Sequence, residues 1–306
     1  MNDLRINFCG LAFQNPIVTA SGTFSAKGSG KFYDFSRLGA ITAKGVAIDP
    51  WPGNATPRIA ETRSGMLNAV GLENPGAEHF IAGELPLIQQ GIGASGTKLI
   101  VNVAGRSIDG YVQAAETLNA ADGVDMLELN ISCPNISEGG VAFGTCPAMA
   151  AKATEAVRRV VTKPLIVKLS PNVTDIGEIA RAAESAGADA LSLINTITGM
   201  RIDVKKKRFI LANKIGGLSG PAVLPVAIRM VYQAASVVKI PILGMGGIMT
   251  GEEAAEFLMA GASAVAIGTA ALVDPTAPVR ILDELQAFMK TYHFADIEAV
   301  KNALQS

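Results

Sequence analysis

Histidine, cysteine and aromatic residues are scarce in this 306-residue chain, which holds 2 His, 3 Cys and 5% aromatic residues. Cys9, Cys133 and Cys146 form an odd set without metal-ligand spacing, which argues against a disulfide framework and against a zinc or iron–sulfur site. His79 and His293 are too isolated for a catalytic triad or a metal pair. Net charge is nearly absent as well: 26 Lys plus Arg against 27 Asp plus Glu leave −1, so no field gathers nucleic acid or an anionic membrane surface. Runs of about 18 apolar residues, the length a membrane helix needs, do not occur. The most apolar stretch, Ala262 to Val273, is broken by Gly268 and Thr269, and the start, with Asp3 and Arg5, lacks signal-peptide regions. The expectation is a cytoplasmic protein without a membrane span.

What remains is a chain that is 49% hydrophobic with 32 glycines, suited to one large α/β domain over residues 1–306. Buried-strand runs, Ala40 to Lys44, Leu99 to Ala104, Asp125 to Asn130, Leu165 to Leu169, Ala190 to Asn195, Ile240 to Met245 and Ala264 to Gly268, alternate with helical runs. Such alternation predicts a parallel sheet. One helix starts at Thr174-Asp175 and stops at Gly187; another starts at the capping-box sequence Thr250-Gly251-Glu252-Glu253 and stops at Gly261. The reuse of one strand–helix module, without a Gly-x-Gly-x-x-Gly after the first strand, favours a (β/α)8 barrel over a doubly wound sheet. Short strands flank Cys9 at the N-terminus, and loop insertions are expected at the C-terminal face of the barrel.

In such a barrel the residues just after each strand share the catalytic rim. Here they are Lys44-Gly45, Asn102, Asn130 with Cys133, Lys168, Asn195-Thr196, Gly246-Gly247 and Gly268-Thr269. The two glycine turns on adjacent late strands suit a phosphate group. Lys44 and Lys168, ending apolar strands, need an anion or water, and beside a flavin ring a lysine stabilises the negative charge of the reduced form. Asn68, Asn130, Asn135 and Asn195 offer paired donors and acceptors to a planar ring bearing C=O and N–H groups. Cys133 sits where an apolar strand gives way to Asn130-Ile131-Ser132-Cys133-Pro134-Asn135, on a proline-restricted loop that presents its thiol. Cys146, before Pro147, is the rival thiol at a helix N-terminus, but a packed or capping residue is the simpler reading. Lys205 to Arg208 reads as a solvated loop.

With these residues assembled, the chain resembles the dihydroorotate dehydrogenases nearly end to end, and within them the catalytic subunit of the NAD-linked type. The resemblance is carried by Thr19-Ala20-Ser21-Gly22-Thr23, by Ser64-Gly65-Met66-Leu67-Asn68-Ala69-Val70-Gly71-Leu72, and by Asn130 to Asn135. Ile194-Asn195-Thr196, Gly216-Gly217-Leu218-Ser219-Gly220-Pro221 and the late glycine turns complete it. It implies FMN bound by Ser21, Lys44, Gly45, Asn102, Asn130, Lys168, Ile194, Gly220, Gly246, Gly247, Gly268 and Thr269. It implies dihydroorotate held by Lys44, by Asn68, Ala69, Val70, Gly71 and Leu72, by Asn130, and by Asn195 with Thr196. Cys133 would be the base that takes the C5 proton while a hydride leaves C6 for N5 of FMN, giving orotate for pyrimidine synthesis. No metal is implied on this chain.

The resemblance further implies that a separate subunit carries FAD and a [2Fe-2S] cluster and passes electrons to NAD, in a heterotetramer of two catalytic and two electron-transfer chains. Quinone-linked members carry an N-terminal membrane-associating extension and a serine base, so with cysteine at position 133 quinone is not the expected direct oxidant. Two enzyme alternatives stay open: a fumarate-linked homodimer, which also uses cysteine, and a dihydropyrimidine dehydrogenase-type barrel, whose loop carries histidine where Asn135 stands. A non-catalytic flavin-binding barrel is the reading of a different class.

Overall fold

Fully buried strands read as continuous apolar runs, and eight of them close here into a parallel barrel. The computed structural model describes residues 2–132, 137–138 and 141–304. The barrel strands are β1 (Ile17–Thr19), β2 (Ala40–Val46), β3 (Lys98–Val103), β4 (Met126–Asn130), β5 (Leu165–Lys168), β6 (Ala190–Leu193), β7 (Ile242–Met245) and β8 (Ala264–Ile267). Each pairs with its successor in sequence and β8 pairs with β1, as the repeated strand–helix module predicts. From β2 onward the crossovers carry α1 (Leu85–Ile92), α2 (Ile108–Asn119), α3 (Pro147–Arg158), α4 (Ile176–Ser185), α5 (Leu224–Ala235) and α6 (Gly251–Met259). After β8 come a short α7 (Thr269–Val273) and then α8 (Ala277–Thr291).

The helix boundaries follow their caps. Asp175 accepts from the amide of Gly177 at the start of α4, and Thr250 and Glu253 form a reciprocal capping box on α6. Gly187 and Gly261, after the two helices, adopt φ +96 and +107, a region open to glycine at little cost. The strand the sequence did not disclose is β1. It has three residues and pairs with β2 only through Val18 and Ala40; the Thr19 hydroxyl takes over from the ladder, accepting from the Thr42 amide at 2.9 Å.

Alternate residues of each strand face opposite sides. Ile41, Leu99, Val101, Leu127, Val167 and Leu191 pack outward under the helices, while Val18, Ala40, Ile100, Met126, Ile166, Ala190, Leu243 and Ala264 join an interior cluster. Phe8 and Phe13, from a hairpin of Ile6–Phe8 and Leu11–Phe13, belong to that interior cluster with ring centroids 5.5 Å apart. Cys9 lies at the turn of this hairpin. Its thiol donates to the Asp189 carbonyl at 3.3 Å, and burial, helped by the Asp189 carboxylate, pushes its pKa up to about 12. That is a structural thiol, inert at neutral pH.

Two loops grow into a second sheet. Ile59–Thr62 and Gly65–Asn68 follow β2, Ile197–Met200 and Ile215–Ser219 follow β6, and the four join as one antiparallel sheet. Its register sets Asn68 opposite Gly217 and Gly217 opposite Thr198. The sheet therefore ties the Asn68 segment to the strand that follows Thr196. Among the described residues, no helix is long and apolar enough to cross a membrane.

Candidate active site

Above its apolar floor the barrel interior divides into two walls. Period-two alternation carries Ala40 to Thr42 and Lys44, Ile100 to Asn102, Met126 to Glu128 and Asn130, Ile166 to Lys168, and Ala190 to Ser192. The β7–β8–β1 side continues instead as Leu243 and Met245, Ala264 and Ala266, Val18 and Ala20. One wall is polar and the other apolar, at the strand ends where barrels place their chemistry.

The polar wall is one hydrogen-bonded network. Glu128 accepts from Asn102 Nδ2 at 2.5 Å and from Ser192 Oγ at 2.7 Å, and Lys168 Nζ stands 3.8 Å from its Oε2. Lys168 Nζ also reaches Ser21 Oγ at 3.3 Å. Asn130 Nδ2 donates to Asn102 Oδ1 at 3.4 Å, while its Oδ1 accepts from Ser132 Oγ at 2.8 Å and Asn195 Nδ2 at 3.4 Å. Asn195 Nδ2 also meets Ser132 Oγ at 2.5 Å, and Tyr111 on α2 clamps the Asn130 carbonyl at 2.7 Å. Gly45 sits where a β carbon would press within 2.8 Å of Asn102 Oδ1, so glycine there keeps the amide in place. Residues Asn130 and Ser132 are thus fixed on both sides; Cys133 and Asn135, which the sequence singles out next, lie outside the described residues.

The predicted loop residues fall around this wall. Asn68 to Leu72 is held by Asn54, which donates from Nδ2 to the Ala69 carbonyl at 2.9 Å, and by Asn74, which donates to the Leu72 carbonyl at 2.8 Å and accepts from Ala47 and Gly76. An ion pair of Arg58 with Glu73 closes the same segment. Thr196 is bracketed by Asn172, whose amide donates to its carbonyl at 3.1 Å and accepts from Thr198 at 2.8 Å. Gly217 leaves the room that the Thr196 side chain fills. Asn54, Asn74, Asn172, Ser192 and Glu128 are absent from the sequence-derived set. Glu128 had a visible signal, a carboxylate inside the otherwise apolar run Met126 to Leu129.

The glycine turns meet at the other side. Gly246 and Gly247 have φ +131 and +87, next to Gly220 at +98. A β carbon on Gly247 would lie 2.8 Å from the Leu224 amide nitrogen and 3.0 Å from the Gly220 carbonyl, so only bare backbone fits. Thr269, opening α7 directly after Gly268, donates to Ser219 Oγ at 2.8 Å. Among the described residues the Gly247 and Gly268 amides have no backbone partner. Ile194, buried at the end of β6, follows a cis Leu193–Ile194 peptide.

Other candidates stand apart. Cys146 caps α3 without a side-chain hydrogen bond, Lys205 to Arg208 are exposed, and so are His79 and His293. Among the described residues no three His, Cys, Asp or Glu side chains gather as a metal site.

This geometry suits a ligand with a flat polar-edged ring and an anionic tail. Lysine and amide groups line one face, an apolar wall stands opposite, and unpartnered amides wait at the late strands. The buried Thr42 Oγ1, one layer below Lys44 on the same strand, has no hydrogen-bond partner among the described residues.

A family model described as dihydroorotate dehydrogenase matches residues 3–289. The chain is 52% identical over 303 residues to a protein of Alkaliphilus metalliredigens named dihydroorotate dehydrogenase B (NAD(+)), catalytic subunit, covering 99% of each. It is 54% identical over 297 residues to the protein of that name in Lachnoclostridium phytofermentans, covering 96% of each, and 50% identical over 302 residues to that in Listeria monocytogenes, covering 98% of each.

Proposed function

Because the chain belongs to the dihydroorotate dehydrogenase family, we propose that it is the FMN-bearing catalytic subunit of the NAD-linked enzyme, oxidising (S)-dihydroorotate to orotate for pyrimidine nucleotide synthesis. The observation that carries this is the continuous polar wall from Lys168 through Glu128, Asn102 and Asn130 to Ser132.

In this reading Lys168, Asn102, Asn130, Lys44 and Ser21 hold the flavin ring edge, with Gly45 and Ile194 beside it. Gly220, Gly246, Gly247, Gly268 and Thr269 hold the phosphate. FMN, when bound, supplies N5 as the hydride acceptor. Lys44, Asn68 to Leu72, Asn130, Asn195 and Thr196 hold dihydroorotate flat, and the Cys133 thiolate takes the C5 proton. Lys168, whose Nζ lies beside Ser21 Oγ and Glu128, would set a fixed cation at the ring edge, where it stabilises the negative charge of a reduced flavin. Electrons leave through a partner subunit with FAD and a [2Fe-2S] cluster, two of each chain assembling together, and NAD is the final acceptor. Residues 1–306 act as one catalytic domain in the cytoplasm, where Cys9 and Cys146 stay reduced.

The purified chain should be yellow, and anaerobic dihydroorotate should bleach it while dihydrouracil does not. Bleaching by dihydrouracil would move the chain to the dihydropyrimidine class. Fumarate reduction by the isolated chain would replace the NAD-linked reading with the homodimeric one. A finer test lies at Gly217, where alanine would collide with Thr196. Gly217→Ala is expected to raise KM for dihydroorotate roughly tenfold with flavin content unchanged, as steady-state kinetics beside absorbance would read.

A further inference from the structure

Glu128 takes no part in the steps above, yet Glu128 and Lys168 are the charged side chains among the buried described residues, 0% and 5% exposed. Burying a carboxylate is costly unless it is well bonded, and a leucine would fill the space more cheaply. Its bonding pattern points to its use. A carboxylate only accepts, so the Asn102 amide must turn its Nδ2 toward Glu128, at 2.5 Å. That choice leaves Asn102 Oδ1 for Asn130 Nδ2 at 3.4 Å, and Asn130 Oδ1 in turn for Ser132 Oγ and Asn195 Nδ2 at 2.8 and 3.4 Å. The direction of three successive amides is therefore anchored at one acceptor. The same carboxylate stands 3.8 Å from Lys168 Nζ, beside which Ser21 Oγ is a neutral partner at 3.3 Å.

We propose that Glu128 is a positioning residue: it fixes the donor and acceptor pattern that Asn102, Asn130 and Asn195 present to flavin and substrate, and it tempers the charge that Lys168 offers the flavin ring. Glutamine at 128 has the same shape but offers both a donor and an acceptor, so the amide chain loses its fixed direction. Lys168 then also stands without a counter-charge and favours the electron-rich flavin more strongly.

This rests on the flavin reading proposed above, and the test separates the two. A wild-type chain that neither retains nor rebinds FMN would sink the flavin reading itself. Given a yellow wild type, the midpoint potential of bound FMN is measured by dye equilibration in the holoprotein and in Glu128→Gln, together with the affinity for oxidised FMN. Glu128→Gln is expected to hold oxidised FMN several-fold more weakly, yet to gain about tenfold in preference for reduced over oxidised flavin, about 30 mV upward for a two-electron couple. A potential left unmoved, from equal weakening of both redox forms, or lowered, from greater weakening of the reduced form, would mark Glu128 as a mere structural prop and overturn the proposal. If Glu128→Gln fails to fold, Glu128→Asp keeps the charge but draws it back from Asn102 and Lys168; a smaller upward movement is expected, and none would overturn it.

Discussion

Cys133→Ala should leave a folded, yellow protein whose flavin is bleached by dihydroorotate more slowly by a factor on the order of a hundred to ten thousand. The reason lies in what surrounds the position. Asn130 and Ser132 are held by Asn102, Asn195 and Tyr111, so the chain enters residue 133 from a fixed point beside the polar wall. Removing the Cys133 thiol takes away the proposed base while leaving every side chain of that wall in the sequence. In the proposed reading the C5 proton leaves to the thiolate form of Cys133, so wild-type bleaching should quicken as pH rises and the thiolate fraction grows. The alanine variant should lose that dependence. Stopped-flow absorbance under anaerobic conditions reads both. Cys146→Ala, at the cap of α3, should bleach at the wild-type rate; a matching loss there, or a full rate in Cys133→Ala, would hand the proton to another group.

Barrel closure and rim were legible because they depend on local signals. The run Leu165 to Lys168 is apolar and then abruptly cationic; Gly246-Gly247 and Gly268-Thr269 punctuate the last strands; Thr250 and Glu253 announce their helix. Each signal lies within a few residues of what it specifies. What stayed hidden is non-local or too short. The three residues of β1 give no periodicity, and their pairing with β8 joins positions at opposite ends of the chain. The added sheet pairs Met66, Leu67 and Asn68 with Ser219, Leu218 and Gly217, and no local pattern names a partner that distant. Asn54, Asn74 and Asn172 look like ordinary turn formers in sequence, and only their contacts make them supports for the Leu72 and Thr196 segments. Glu128 is the instructive case. Its charge stood in plain view within an apolar strand, but a rim reading that takes only residues after each strand passes over one inside it.

Lys168→Met carries the second large effect, on flavin retention and on folding together. Methionine fills similar space but leaves Glu128 buried with neutral donors only, from Ser192 and Asn102. Losing one partner of a buried ion pair costs about 3–5 kcal/mol, which for a chain of this size is a fall of about 10 °C in the melting temperature of the flavin-free protein. Flavin affinity should drop by at least about a hundredfold, since the cation proposed for the ring edge is gone and hydrogen bonds to charged groups are among the stronger ones. The two losses have different causes, and a double variant parts them. Adding Glu128→Gln removes the orphaned carboxylate, so Lys168→Met/Glu128→Gln should regain most of the melting temperature while binding FMN no better than Lys168→Met alone. Calorimetry of the flavin-free proteins and fluorescence titration with FMN make the comparison. If the second substitution restored flavin binding along with stability, Lys168 would be serving the fold alone; if it restored neither, the pairing of Lys168 with Glu128 would not be what holds the interior of the barrel together.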